Sequence, residues 1–205
     1  MIKENIKCFC GYNLLIEYDE EIDIDKEPDV LDKIFSGTFM CYTCPSCAKI
    51  HKPEYRVMFL WKSKNYKLQV IPELERGQFY INKKDNPQHE TVISFREMSD
   101  RLAVLKDGLE PVAVETIKSF ILAKAEENYP DNDINAWYHN YGPSGIEFHL
   151  EGLRQGEIAV MRIPCDLYDR TLSEYLKHPK KNIYVSLRVR SYLSVQNLLR
   201  HEALK

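Results

Sequence analysis

No window of this sequence approaches the ~18 consecutive apolar residues that a membrane-spanning helix requires. The first residues, Met1-Ile-Lys-Glu-Asn-Ile-Lys7, carry no apolar run of the kind a secretory leader uses. Both absences lead to the expectation of a cytoplasmic protein, where thiols stay reduced and clustered cysteines read as metal ligands rather than disulfides. The phosphate-cradling pattern G-x-x-x-x-G-K-[ST], the dinucleotide pattern G-x-G-x-x-G and the nucleophile elbow G-x-S-x-G are all missing. The histidines at 51, 89, 139, 149, 178 and 201 form neither H-E-x-x-H nor His-x-His. His139 and His149 are placed to face one another across a hairpin and read as cross-strand surface residues. A non-catalytic protein is therefore expected. An excess of one charge is lacking too: the formal net charge of −3 argues against whole-protein attraction to nucleic acid. The distribution is uneven, with nine acids between Glu17 and Asp32 against the single base Lys26, read as a solvated surface loop.

What the chain does hold is a dense cysteine set near its start. Five of the six cysteines lie within the first 47 residues, in the groups Cys8-Phe-Cys10-Gly11 and Cys41-Tyr-Thr-Cys44-Pro-Ser-Cys47. A Cys-Pro-x-Cys turn holds two thiolates at a separation that one tetrahedral zinc ion spans, and a second cysteine pair completes four ligands. The expected ligands of one Zn are Cys8, Cys10, Cys44 and Cys47. Cys41, also three residues before Cys44, is an alternative ligand; its other reading is a small apolar residue packed in a strand. Four protein sulfurs close the coordination sphere, so the ion is expected to be structural rather than a Lewis acid. Cys165 stands alone and reads as a packed free cysteine.

The fold class expected is α+β: an N-terminal zinc-ribbon-like β module over residues 1–75, a polar linker at 76–90, and an α+β domain at 91–205 in which a helical hairpin packs with a small antiparallel sheet. In the module, strands flank the Cys8/Cys10 turn, and a short helix near Pro28–Gly37 buries Leu31, Ile34 and Phe35. A strand from Thr38 to Thr43 leads into the second cysteine turn, and two further strands cover Tyr55–Trp61 and Tyr66–Ile71. In the second half, Ser94-Phe-Arg-Glu97 is a capping box opening a helix on Phe95, Met98, Leu102 and Leu105. Pro111 starts a longer helix with the stripe Val114, Ile117, Ile121 and Ala125. Strands are expected at 136–141, 146–153, 158–163 and 183–189, with helices at about 166–178 and 191–203.

The N-terminal cysteine turn, Ser36-Gly37, Thr43-Cys-Pro-Ser-Cys47, Tyr55 and Val70-Ile-Pro72 resemble the bacterial CpXC-domain proteins. The likeness continues through Val92-Ile-Ser-Phe-Arg-Glu-Met-Ser-Asp-Arg101 and Gly108-Leu-Glu-Pro-Val-Ala-Val-Glu-Thr-Ile-Lys118. The first pair here, Cys8-x-Cys10, lacks the proline, and Ala48 stands where a glycine is usual. The resemblance implies the fold and the metal and leaves the function open.

Three functional classes follow. The first is a zinc-stabilised interaction or scaffold protein that presents a surface to a protein partner. The second is nucleic-acid binding, through Lys49, Lys52, Arg56, Lys62, Lys64 and Lys67 interleaved with Tyr55, Trp61 and Tyr66. Against it, Tyr55, Val57, Phe59 and Trp61 alternate onto one face that needs a core. The third is a redox sensor: Cys-x-Cys followed by Cys-x-x-Cys is similar in spacing to the zinc-thiolate switch of the oxidation-activated heat-shock chaperone.

Overall fold

The computed structural model describes residues 1–82 and 88–203; positions 83–87 of the expected linker lie outside the described residues. The class is mixed α+β. The chain divides into two compact units, Met1–Ser99 and Asp100–Lys205.

Unit 1 opens with an antiparallel hairpin of β1 (Ile2–Lys7) and β2 (Asn13–Tyr18), in register from Ile2↔Tyr18 to Lys7↔Asn13. β3 (Glu21–Asp23) and α1 (Asp29–Phe35) follow. Inside α1 the buried pair is Val30 and Ile34, with Leu31 and Phe35 only half-buried; residues four apart stack on one helix face. Of the strand expected from Thr38, only β4 (Tyr42–Thr43) pairs, antiparallel with β5 (Ile50–His51). β6 (Val57–Trp61) and β7 (Tyr66–Ile71) form a hairpin that turns Val57, Phe59 and Trp61 inward, at 0, 1 and 8% exposure.

A helix, α2 (Arg76–Ile81), occupies part of the segment that composition marked as linker. β8 (Glu90–Ile93) then runs parallel to β7, from Leu68↔Glu90 to Ile71↔Ile93, giving the side-by-side order β8-β7-β6-β3. The unit division therefore falls later than the change of composition near Thr91. It lies within α3 (Phe95–Lys106), because β8 is held by a non-local pairing that patterning does not reveal. At the start of α3 the Glu97 amide donates to Ser94 Oγ at 3.3 Å, as a capping box requires. The Glu97 carboxylate instead accepts from the Ile93 amide (3.1 Å) and from Arg76 (2.8 Å). Glu54, distant in sequence, accepts from the amides of both Phe95 and Glu73, each at 2.8 Å.

Unit 2 is built on α4 (Pro111–Asn128), with Pro111 in its first turn where no donor is lost. β9 (Asn135–Gly142), β10 (Gly145–Glu151) and β11 (Ala159–Ile163) form an antiparallel sheet in that order. Gly145 has φ +120°, and a Cβ there would sit 2.3 Å from the Ile163 carbonyl oxygen, so this turn admits only glycine. Ala136, Tyr138, Ile146, Phe148 and Leu150 share one apolar core with Val114, Ile117, Ile121 and Ala125 of α4. Within unit 2 a buried ionic network joins this core. Lys118 donates to Asp100 and, at 2.9 Å, to Glu115; Glu115 also accepts from Arg101 and from the Val195 amide. Asp100 accepts the Tyr138 amide at 2.6 Å.

α5 (Cys165–Lys177) carries its first residue, Cys165, half-buried beside the Gly142 carbonyl. The strand expected at 183–189 is instead α6 (Asn182–Ser186) followed by a short β12 (Arg188–Val189). Tyr184 and Leu187 are buried three apart while Val185 is 57% exposed, so burial follows the helical spacing even though the apolar letters alternate. β12 pairs with β13 (Tyr192–Leu193), and α7 (Gln196–Ala203) begins after it rather than at 191. Among the described residues no helix is long and apolar enough to cross a membrane.

Candidate metal centre

Two hairpin turns of unit 1 meet at the cysteines. The first links β1 to β2: the Cys8 amide donates to the Tyr12 carbonyl (2.8 Å), the Gly11 amide donates to the Cys8 carbonyl (2.9 Å), and Gly11 takes φ +88°. The second links β4 to β5 in the same way. The Cys44 amide donates to Lys49 O and the Ala48 amide to Cys44 O, both at 2.9 Å, with Ala48 at φ +58°. Each turn needs one left-handed residue to bring its cysteines round to the same side. The Tyr42 hydroxyl donates to the Glu17 carbonyl at 2.8 Å and ties the second hairpin to β2.

The sulfurs of Cys8, Cys10, Cys44 and Cys47 all lie within 4.8 Å of one another. Cys8 and Cys47 are 3.6 Å apart, and Cys10 and Cys44 3.7 Å. A disulfide would place two sulfurs at about 2.05 Å, whereas a tetrahedral ion with bonds of about 2.3 Å holds them about 3.8 Å apart. The spacing fits a shared ion, and the four cysteines can hold one. Cys8 and Cys44 are buried; Cys10 and Cys47 are exposed.

The protons of the set are unequal. The Tyr12 amide, and then the Cys8 sulfur, lower Cys10 to about 6. The Lys49 amide favours the thiolate of Cys47, but the neighbouring Cys8 and Cys10 sulfurs push it up to about 12. Such a group behaves as one coupled acid, easy to ionise first and hard to ionise fully, unless a divalent cation offsets the accumulating negative charge.

The sequence reading missed the surroundings of the sulfurs. His51 brings Nε2 to 3.1 Å from Cys8 Sγ, so the ring with its proton on Nε2 donates to that sulfur. It also stacks on Phe9 (6.4 Å between centroids, 15°). Lys49 Nζ sits 4.0 Å over the centre of the Phe9 ring. His51 lies on the strand that closes the Cys-Pro-x-Cys turn, and a lone histidine there carries no pattern of its own in the sequence. Cys41 is not in the group of four. Its Sγ lies 3.2 Å from the Gly37 carbonyl and 3.7 Å from that of Phe39.

Several of the basic residues singled out for nucleic acid have partners within the chain. Lys52 donates to the Gly37 carbonyl (2.8 Å), Arg56 pairs with Glu75, and Lys62 pairs with Asp23 (2.6 Å). Lys64 lies 5.0 Å over the buried Trp61 ring, and Lys67 is exposed on β7. Tyr55 is stacked on Tyr18 at 4.1 Å.

The chain is 29% identical over 214 residues to a protein of Treponema pallidum (strain Nichols) described as uncharacterised, covering 94% of this chain and 97% of that one. It is 23% identical over 195 residues to the 1-phosphatidylinositol 4,5-bisphosphate phosphodiesterase 1 of Candida albicans, covering 93% of this chain but only 16% of that protein. No solved structure matches. The model of the CpXC protein family matches residues 6–118, which contain both cysteine turns and end at Lys118 of α4. This chain belongs to the CpXC family.

Proposed function

We propose that the four cysteines hold one zinc ion in a zinc-ribbon-type structural centre, and that the protein's task is non-catalytic: unit 1 presents a surface to a protein partner. The observation that carries this reading is the sulfur geometry, with contacts of 3.6 and 3.7 Å close to the edge of a zinc tetrahedron. Four thiolates leave the ion no open position, which supports stabilisation over chemistry. The surface argument rests on the first cysteine turn, where Phe9 is 86% exposed and Tyr12 is exposed as well. Solvent-facing aromatics of this kind are characteristic of interface anchors. A reducing, cytoplasmic setting suits an exposed thiolate centre.

The test is elemental analysis of the purified protein. About one zinc per chain is expected, with Cys44→Ser and Cys47→Ser losing both the metal and thermal stability. Metal-free protein of unchanged melting temperature refutes the centre. Mild peroxide separates structure from sensing. A structural site releases zinc slowly and gains no activity, whereas suppression of client aggregation after oxidation moves the protein into the redox-sensor class.

A further inference from the structure

A second set of metal-ligating side chains lies in unit 2, outside the residues matched by the family. We propose that His139, Glu147 and His149 form an open site for a divalent transition-metal ion of the zinc type, separate from the cysteine centre.

The strand register builds the site. Glu147 and His149 are two apart on β10 and so share its outer face. Opposite them the ladder runs Trp137↔His149 and Tyr138↔Phe148, then shifts so that Asn140 faces Glu147. His139 is the extra residue at this bulge. Bulges re-aim side chains, and this one lays the His139 ring over His149, with centroids 3.9 Å apart and an interplanar angle of 18°. The two Nε2 atoms lie 3.8 Å (His139) and 3.5 Å (His149) from the same oxygen, Glu147 Oε1. All three donor atoms fall within 4.8 Å of one another.

A four-coordinate ion with bonds of about 2.0–2.1 Å spaces its donors about 3.3–3.4 Å apart. The two histidine–carboxylate separations therefore have to contract by a few tenths of an ångström. Closing the site also takes a turn of the His139 ring, whose side chain is 49% exposed, so that its lone pair converges with that of His149. Arg162 stands directly across from Glu147 on β11 and donates Nε to Oε2 at 2.9 Å. It occupies one carboxylate oxygen and aims the other at the histidines, the outer-sphere role by which metal sites orient their ligands. Two imidazoles and one carboxylate oxygen suit zinc, nickel or cobalt rather than calcium or magnesium, which prefer all-oxygen sets. With three protein donors, unlike the four sulfurs, the ion keeps at least one position for water or a bound group.

The experiment uses the full chain with its cysteine centre already loaded, at about pH 8, where imidazole is neutral. Titration with Zn²⁺ followed by calorimetry should show one further equivalent bound. His139→Ala and His149→Ala should each weaken that event by about tenfold or more, with circular dichroism unchanged. Ni²⁺ at the site should quench tryptophan fluorescence, since Trp137 is the cross-strand neighbour of His149, and the quenching should vanish in both variants. Absence of a second equivalent overturns the proposal, as does a second equivalent that both histidine variants retain at unchanged affinity.

Discussion

Ala48 holds φ +58° in the Cys44–Lys49 turn, a conformation that suits glycine and costs a residue with a Cβ about 1–2 kcal/mol. Ala48→Gly should therefore stabilise the metal-loaded protein. The gain is expected to be roughly 0.5–1 kcal/mol, because the freer unfolded chain offsets part of the relief. Denaturant titration at saturating zinc measures it, and a loss of stability would show that the Ala48 methyl contributes packing. The same scale explains which site residues could be read in advance. Cys8, Cys10, Cys44 and Cys47 were legible because thiols at these spacings are rare outside metal turns. His51 was not, since one histidine in a strand has no pattern until the fold carries it to 3.1 Å from Cys8 Sγ.

Among the elements, α4 shows most plainly what periodicity captures and what it omits. Its apolar stripe was legible in Val114, Ile117, Ile121 and Ala125, all buried. Glu115 and Lys118 on the same helix are buried as well, with side chains 5 and 3% exposed, in company with Asp100 and Arg101. Burial opposes the Lys118 charge, but Asp100 and Glu115 outweigh it and raise its pKa above the ordinary 10.5. A raised pKa means that the cation's contribution is fully present below that value and is lost only as pH climbs through the higher folded one. Lys118→Met leaves two buried carboxylates short of a partner. It should destabilise the protein by about 3–5 kcal/mol at about pH 8 to 9, and by less as pH falls, because burial already raises the Asp100 pKa and loss of the Lys118 cation raises it further, so that Asp100 takes up a proton. Thermal unfolding from about pH 5 to 9 checks both statements; a penalty that does not change with pH would show that Asp100 keeps its charge without Lys118. α6 carries the converse lesson. The alternating apolar letters of 183–189 read as a strand, yet Tyr184 and Leu187 have their burial at helical spacing.

At the scale of the molecule, two measurements separate the functional classes. With Trp61 8% exposed and Tyr55 stacked on Tyr18, the basic hairpin lacks free rings for bases. No oligonucleotide binding is expected at physiological salt. Trp61→Ala should unfold unit 1 by roughly 3–5 kcal/mol, as loss of a core side chain does. Lys64→Glu and Lys62→Glu should each cost only a little stability, the first because it removes the cation over the Trp61 ring and the second because it sets a second carboxylate beside Asp23. Salt-sensitive binding that the lysine reversals abolish would instead favour the nucleic-acid class. The second measurement removes the metal with a chelator and follows amide exchange. If the cysteines hold the proposed ion, protection should fall in β1, β2, β4 and β5, whose turns it would join, and persist in α4 and β9–β11. Uniform protection before and after chelation would mean that the centre stabilises nothing.

The sequence by itself determined the features that depend on near neighbours along the chain. These include the two cysteine turns, the inward faces of β6 and α4, the helix that opens at Ser94, and the family to which the chain belongs. Turn chemistry, hydrophobic period and capping act over a few residues, so they survive in a one-dimensional reading. Tertiary structure decided whatever joins distant segments. β8 pairs in parallel with β7, Glu54 caps α3 from 41 residues away, Asp100, Arg101, Glu115 and Lys118 are buried together, and a bulge in β9 sets His139 over His149. None of these leaves a local signature, because the energy of each comes from a contact whose two halves are independent in sequence and meet only when the chain has folded.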